Sequence, residues 1–155
     1  MLGTVASAFG YAGQKCSACS RAIVHAAVYD LFLKRLQEAI ASLVVGSPEH
    51  PGTQVGPVID ERAQATILDY IKIGSQEGRA VVEGRVTQPG WYVGPAVFAD
   101  VAPTARIAQE EIFGPVLAVL KAASFAEALS LANSTEYALT GGVYSRSPAN
   151  LELAR

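Results

Sequence analysis

Apolar and polar positions follow two different rhythms along this chain, and the changes between them mark out its elements. From Val28 onward, Tyr29, Phe32, Leu33, Leu36, Ile40, Leu43 and Val44 recur at steps of three and four, the spacing of one helix face. This predicts an amphipathic helix closed by Gly46. A second helix is predicted from Asp60, a side chain suited to accept N–H groups as N-cap, to Gly78 as its C′ residue. Residues 2–12 are small and apolar and predict a buried helix ending near Gly13. Short runs predict strands over 22–25, 80–83, 90–93, 96–98 and 142–145, and helices over 125–132 and from Pro148 onward. Val116 to Leu120 is apolar without a break, the pattern of a strand covered on both faces. Five Pro or Gly residues follow Gly46 through Pro57, so that stretch is an irregular loop. Helices alternating with strands predict the α/β class, an open twisted sheet with helices on both faces.

Composition narrows the possible functions. A chain of 155 residues fits one domain, and such a domain buries roughly 68–70% of its unfolded surface. Half the residues are hydrophobic and 17% charged, which argues against disorder. A formal net charge of −2 gives no basic surface for nucleic acid or an anionic membrane. No apolar run reaches the ~18–20 residues of a bilayer span. Residues 1–12 lack the basic start of a signal peptide. With two cysteines three residues apart and no targeting signal, a reducing cytoplasm is the expected compartment.

The chemistry is concentrated in two strings. The first is Gly13-Gln14-Lys15-Cys16-Ser17-Ala18-Cys19-Ser20-Arg21. Gly13 permits a sharp turn, and the small residues after Cys16 leave room for a carbonyl to approach its sulfur. Lys15 could favour the thiolate through its charge. Cys19 is expected to be a core residue. Cys16-x-x-Cys19 also has the spacing of a redox pair, but such a pair should follow a strong strand, and the preceding segment is Ala-rich. His25 falls in a strand and His50 in a loop, and no set of residues has metal-ligand spacing. The second string is Gln109-Glu110-Glu111-Ile112-Phe113-Gly114-Pro115-Val116. Adjacent glutamates in an extended segment point to opposite sides, so one can face a site while the other faces solvent. Gly114-Pro115 fixes a turn.

In this order and at this separation the two strings resemble the aldehyde dehydrogenase superfamily, and the first is similar to its 1-pyrroline-5-carboxylate (glutamate semialdehyde) group. Gly56-Pro57-Val58-Ile59, Gly94-Pro95-Ala96-Val97 and the 132–142 segment follow in the order expected of the superfamily's catalytic domain. The resemblance implies Cys16 as nucleophile, forming a thiohemiacetal and then a thioester, with its backbone N–H at the oxyanion. It implies that Ser17 anchors the substrate α-carboxylate, that Glu111 bonds the nicotinamide ribose of NAD, and that Phe113 packs near the nicotinamide. Asn133 and Tyr137 would hold a loop. Residues 1–155 would form part of an aldehyde dehydrogenase catalytic domain, with the upstream NAD-binding domain and the downstream oligomerisation arm outside them. The implied partner is a small aldehyde, in a homo-oligomeric enzyme. A different aldehyde, or a catalytically incompetent fragment, are the alternatives. On its own the chain is expected to self-associate through uncovered sheet edges near the Val116–Leu120 run.

Overall fold

The uncharged run that begins at Val116 becomes the strand around which the molecule is built. In the computed structural model, which describes residues 1–155, β4 (Val116–Ala122) lies between β1 (Arg21–His25) and β3 (Ala96–Ala99) and runs parallel to both. β2 (Arg79–Glu83) pairs antiparallel with β3, giving the order β1-β4-β3-β2. The interior position explains the composition of β4. Val116 to Leu120 are all buried, and the one charge, Lys121, stands near the strand's end. The apolar run is therefore covered by neighbours on both sides, and the open edges belong to β1 and β2.

Register fixes the two faces. Phe98 and Arg21 both pair with Ala118 and share its face. α3 (Glu61–Glu77) covers that face, and its Gly74 lies so close to the Phe98 ring that a methyl group there would overlap it. Arg21 on the same face reaches the carboxyl end of α5 (Phe125–Ala132), bonding the Leu131 and Ala132 carbonyls at 3.0 Å each. The opposite face, with Val119 and Lys121, is covered by α2 (Tyr29–Ala41). The buried Tyr29 hydroxyl donates to the Val119 carbonyl at 3.3 Å and accepts the Asp100 N–H at 2.7 Å, so its polar tip is satisfied. α1 (Leu2–Phe9) packs beside α2 and buries Val5, Ala8 and Phe9. Helices on both faces of an open sheet were the expectation from the pattern; the antiparallel β2 makes the sheet mixed.

Several boundaries differ from those predicted, for physical reasons. α2 stops at Ala41, where Ser42 turns its hydroxyl back onto the Ala39 carbonyl at 2.7 Å. Asp60 caps α3 as expected, accepting from Ala63 N–H at 2.7 Å. Gly78 has extended backbone, φ −154°, so it leads directly into β2 and makes no left-handed cap. Residues 90–93 and 142–145 form no strand: the first stretch turns on itself, Tyr92 N–H bonding the Gly90 carbonyl at 3.0 Å, and takes one bond from Val58 N–H to the Trp91 carbonyl at 2.7 Å, while the second pairs with no strand. The short helix α4 (Arg106–Gln109) was not predicted; one turn is too short to show a period. α6 (Pro148–Leu153) begins at the proline, with Ser147 as N-cap. No helix is long and apolar enough to cross a membrane.

Candidate active site

The three parallel strands begin at one edge of the sheet, and the motif residues are delivered there. Residues 13–20 lead into β1, Gly94-Pro95 into β3, and 109–115 into β4. Open parallel sheets usually bind ligands at the carboxyl ends of their strands; here the candidate residues gather at the amino ends.

The chain leaves α1 through Tyr11 and Ala12, each at φ 54°, and Gly13 at φ 69°. Three successive left-handed residues turn it sharply back. Gly13 then lies against the second motif: a side-chain carbon on it would overlap the Gly114 carbonyl and come within 2.9 Å of the Pro115 nitrogen. Beyond it, Ala18 N–H bonds the Lys15 carbonyl at 3.0 Å, which places Cys16 and Ser17 at the tip of a turn, both exposed. The Cys16 N–H donates to no backbone carbonyl of the chain. Cys19 is turned inward, its N–H on the Ser7 carbonyl at 3.2 Å and its thiol donating to the Arg21 carbonyl at 3.4 Å. Burial pushes the Cys19 thiol above its ordinary pKa, outweighing that hydrogen bond. The two cysteines therefore occupy opposite environments three residues apart. The Lys15 ammonium sits 4.4 Å from the centre of the Tyr11 ring, a cation–π contact. Gln14 accepts the Ile59 N–H on its side-chain oxygen at 3.0 Å, tying the turn to the loop ahead of α3.

In the second motif the adjacent carboxylates have separate surroundings. Glu110 is gripped by the Arg106 guanidinium through two bonds of 2.9 Å and by the Tyr70 hydroxyl at 2.6 Å. Arg106 first, then Tyr70, lowers the Glu110 pKa to about 2. The same bond, with some burial, raises the Tyr70 hydroxyl above its usual value. Glu111 is exposed, Ile112 buried, and Phe113 45% exposed. Phe113 also has φ 58°, a left-handed conformation rare for a bulky side chain and maintained only by its surroundings.

The structure thus brings the Cys16 turn and the Glu111–Phe113 segment together through the Gly13–Gly114 contact. Cys16, Ser17, Glu111 and Phe113 are all exposed, and none of them lines either of two clefts, of 410 and 390 Å³. His50 lines the first of these clefts, and His25 accepts the Ala27 N–H on Nδ1 at 3.1 Å as a local cap. Arg21 holds the end of α5 and the residues after it: besides the two carbonyls it reaches Thr135 Oγ1 at 3.3 Å, and that hydroxyl donates to the Tyr137 carbonyl at 3.2 Å, while Asn133 joins through its backbone N–H on the Leu129 carbonyl at 3.1 Å. Sequence reasoning also passed over Gln14, Tyr70, Glu77 and Arg106. Their partners lie 29 to 45 residues away, Glu110 for Arg106 excepted, so only the Arg106–Glu110 spacing of four was legible.

Comparison with known proteins identifies the family and the fold. Residues 1–154 match the family model described as aldehyde dehydrogenase family. A 1-pyrroline-5-carboxylate dehydrogenase of Geobacillus kaustophilus (strain HTA426) is 57% identical over 152 residues, 97% of this chain and 30% of that protein. Among solved structures, 1-pyrroline-5-carboxylate dehydrogenase from Thermus with bound NAD superposes with a TM-score of 0.95 at 47% identity, covering 99% of this chain and 30% of that one. Proline utilization A from Bdellovibrio bacteriovorus gives 0.95 at 48% identity, over 97% of this chain and 16% of that one. The chain therefore spans about a third of the length of the curated relatives it matches. With the family model matching residues 1–154 of the chain and the fold shared, the chain belongs to the aldehyde dehydrogenase family.

Proposed function

We propose that this chain supplies the nucleophilic thiol and the nicotinamide-ribose contact of an NAD-dependent dehydrogenase. Its substrate is L-glutamate γ-semialdehyde, the open form of 1-pyrroline-5-carboxylate, and its product is glutamate. The observation that carries the reading is the backbone contact of Gly13 with Gly114, which joins the Cys16 turn to the Glu111–Phe113 segment. The names and 47–57% identities of the relatives support the substrate class.

Each residue's role follows from its chemistry. The Cys16 thiolate adds to the aldehyde carbon, forming the C–S bond as the carbonyl π pair moves to oxygen. The Cys16 N–H, with no carbonyl partner in the chain, is available to that oxyanion. Loss of hydride leaves an acyl group on sulfur; water then adds and the C–S bond breaks, releasing the acid and the thiolate. Ser17, exposed beside the nucleophile, donates to the substrate α-carboxylate. The residues present also suit one end of NAD. Glu111 has a carboxylate facing solvent where that of Glu110 is engaged, and such a group accepts from ribose hydroxyls. Phe113 offers a half-exposed ring to the nicotinamide. NAD, when bound, supplies the hydride acceptor. Residues 1–155 are part of the catalytic domain in this reading, and the enzyme is a cytoplasmic homo-oligomer.

The test is Cys16→Ser beside Cys19→Ser in the dehydrogenase carrying this sequence, with glutamate semialdehyde and NAD. Cys16→Ser should abolish NADH formation, and Cys19→Ser should retain it. Wild-type turnover by Cys16→Ser would reject the assignment.

A further inference from the structure

Four residues of α3 fall on one stripe, at steps of three and four: Ile67, Tyr70, Gly74 and Glu77. Such residues stand above one another on a helix. Three of them meet the segment that ends at the cofactor-facing residues, and they meet it in reverse order. Ile67 packs on Gly114, where a side-chain carbon would come within 2.6 Å of the isoleucine. Tyr70 donates to Glu110 at 2.6 Å. Glu77 accepts the N–H groups of Arg106 and Ile107, one on each carboxylate oxygen and each at 3.0 Å. α3 and the 106–114 segment thus run antiparallel and are fastened at three points.

The fastenings have a division of labour. Glu77 caps the amino end of α4, whose N-cap position, Ala105, has no side chain to do so. Arg106, so placed, turns its guanidinium along the single helical turn onto Glu110, and Tyr70 binds that carboxylate from α3. The chain is therefore fixed at Arg106, at Glu110 and at Gly114. The two residues with outward side chains, Glu111 and Phe113, lie between the last two fixed points.

We infer that α3 acts as a splint for the nicotinamide-ribose contact, with Tyr70, Glu77 and Arg106 as positioning residues that set where Glu111 and Phe113 stand. Glu110 is the anchor of this device. Of two adjacent glutamates, the first is committed to the scaffold so that the second faces outward in a fixed place. The inference rests on the reading of Glu111 as the ribose contact, and its test separates the two.

Two kinds of variant and two measurements are needed. Tyr70→Phe removes one hydroxyl; Glu77→Ala removes the cap, and Glu77→Gln keeps one acceptor. Amide exchange in the chain should accelerate roughly tenfold at Glu110 in Tyr70→Phe, and at Ile107 in Glu77→Ala, the loss of a hydrogen bond to a charged group. Glu77→Gln should give the smaller change, and β4 amides should keep their wild-type rates. In the dehydrogenase carrying this sequence, Tyr70→Phe and Glu77→Ala should each raise the NADH dissociation constant several-fold by fluorescence titration, and Glu111→Ala should do so as well. Unchanged exchange at Glu110 and Ile107 would overturn the splint. So would unchanged NADH affinity in Tyr70→Phe and Glu77→Ala alongside weakened binding in Glu111→Ala. Unchanged affinity in Glu111→Ala would instead remove the ribose contact on which the inference stands.

Discussion

Gly13 and Gly114 meet backbone to backbone, with no space between them for a side chain. They are 101 residues apart, and each belongs to one of the two candidate motifs. The contact seats the Cys16 turn against the segment bearing Glu111 and Phe113.

Gly13→Ala should therefore be the most damaging small substitution near the site. Its φ of 69° costs an L-residue ~1–2 kcal/mol, and the new methyl group overlaps the Gly114 carbonyl as well. Thermal unfolding should show a midpoint several degrees lower, and the alkylation rate of Cys16 should change. Gly10→Ala, with nothing within 4 Å of the added carbon, should be near neutral. Equal effects of the two would mean the contact is unimportant.

The two thiols should differ in reactivity. Cys16 is exposed and Cys19 is partly buried with its pKa raised, which keeps it as the unreactive thiol. Mass spectrometry after limited iodoacetamide treatment should find the label first on Cys16. Faster labelling of Cys19 would reverse the roles of the two residues.

The Glu110 anchor gives a pH signature with a definite sign. Its pKa falls from an ordinary 4.5 to about 2 on folding. The contribution is thus fully present above pH 4.5 and is lost as the pH falls from 4.5 toward 2. The pair is about half exposed, Arg106 54% and Glu110 40%, so the effect is modest. Melting curves of wild type and Arg106→Gln should differ at pH 6 and converge as the pH approaches 2. A gap of constant size would show that the carboxylate is not responsible.

Ser17→Ala should reduce selectivity in the dehydrogenase carrying this sequence. A hydrogen bond to a charged carboxylate is worth roughly 1.5–3 kcal/mol, and its loss should appear in kcat/KM for glutamate semialdehyde more than for an uncharged aldehyde of similar length. Unchanged discrimination between the two substrates would exclude Ser17 from the carboxylate contact.

The chain on its own should self-associate with increasing concentration. β1 and β2 are open edges, and Leu2, Ile59 and Tyr144 are 75–84% exposed. Unpaired strand edges and exposed apolar side chains both template association. Sedimentation showing a single monomer across the concentration range would contradict this.

The sequence by itself determined the elements with long or strongly marked patterns. The three- and four-residue repeat of α2, the Asp60 cap of α3 and the uncharged run of β4 all follow from local chemistry, and each element forms, although α2 ends at Ala41, short of Gly46. The identity of the candidate residues was legible for the same reason: a cysteine among small residues and a glutamate pair before a Gly-Pro turn are local features. What joins them is not local. A strand at 90–93 or 142–145 depends on a neighbour to pair with, which no pattern within the segment reports, and α4 is too short to have a period. The sequence showed that adjacent glutamates diverge but not which one is engaged. That was decided by Tyr70, forty residues away, and by Arg106 once Glu77 had capped its helix. Only the tertiary fold sets Gly13 on Gly114, because parallel pairing of β1 with β4 brings the amino ends of two distant strands to one edge of the sheet.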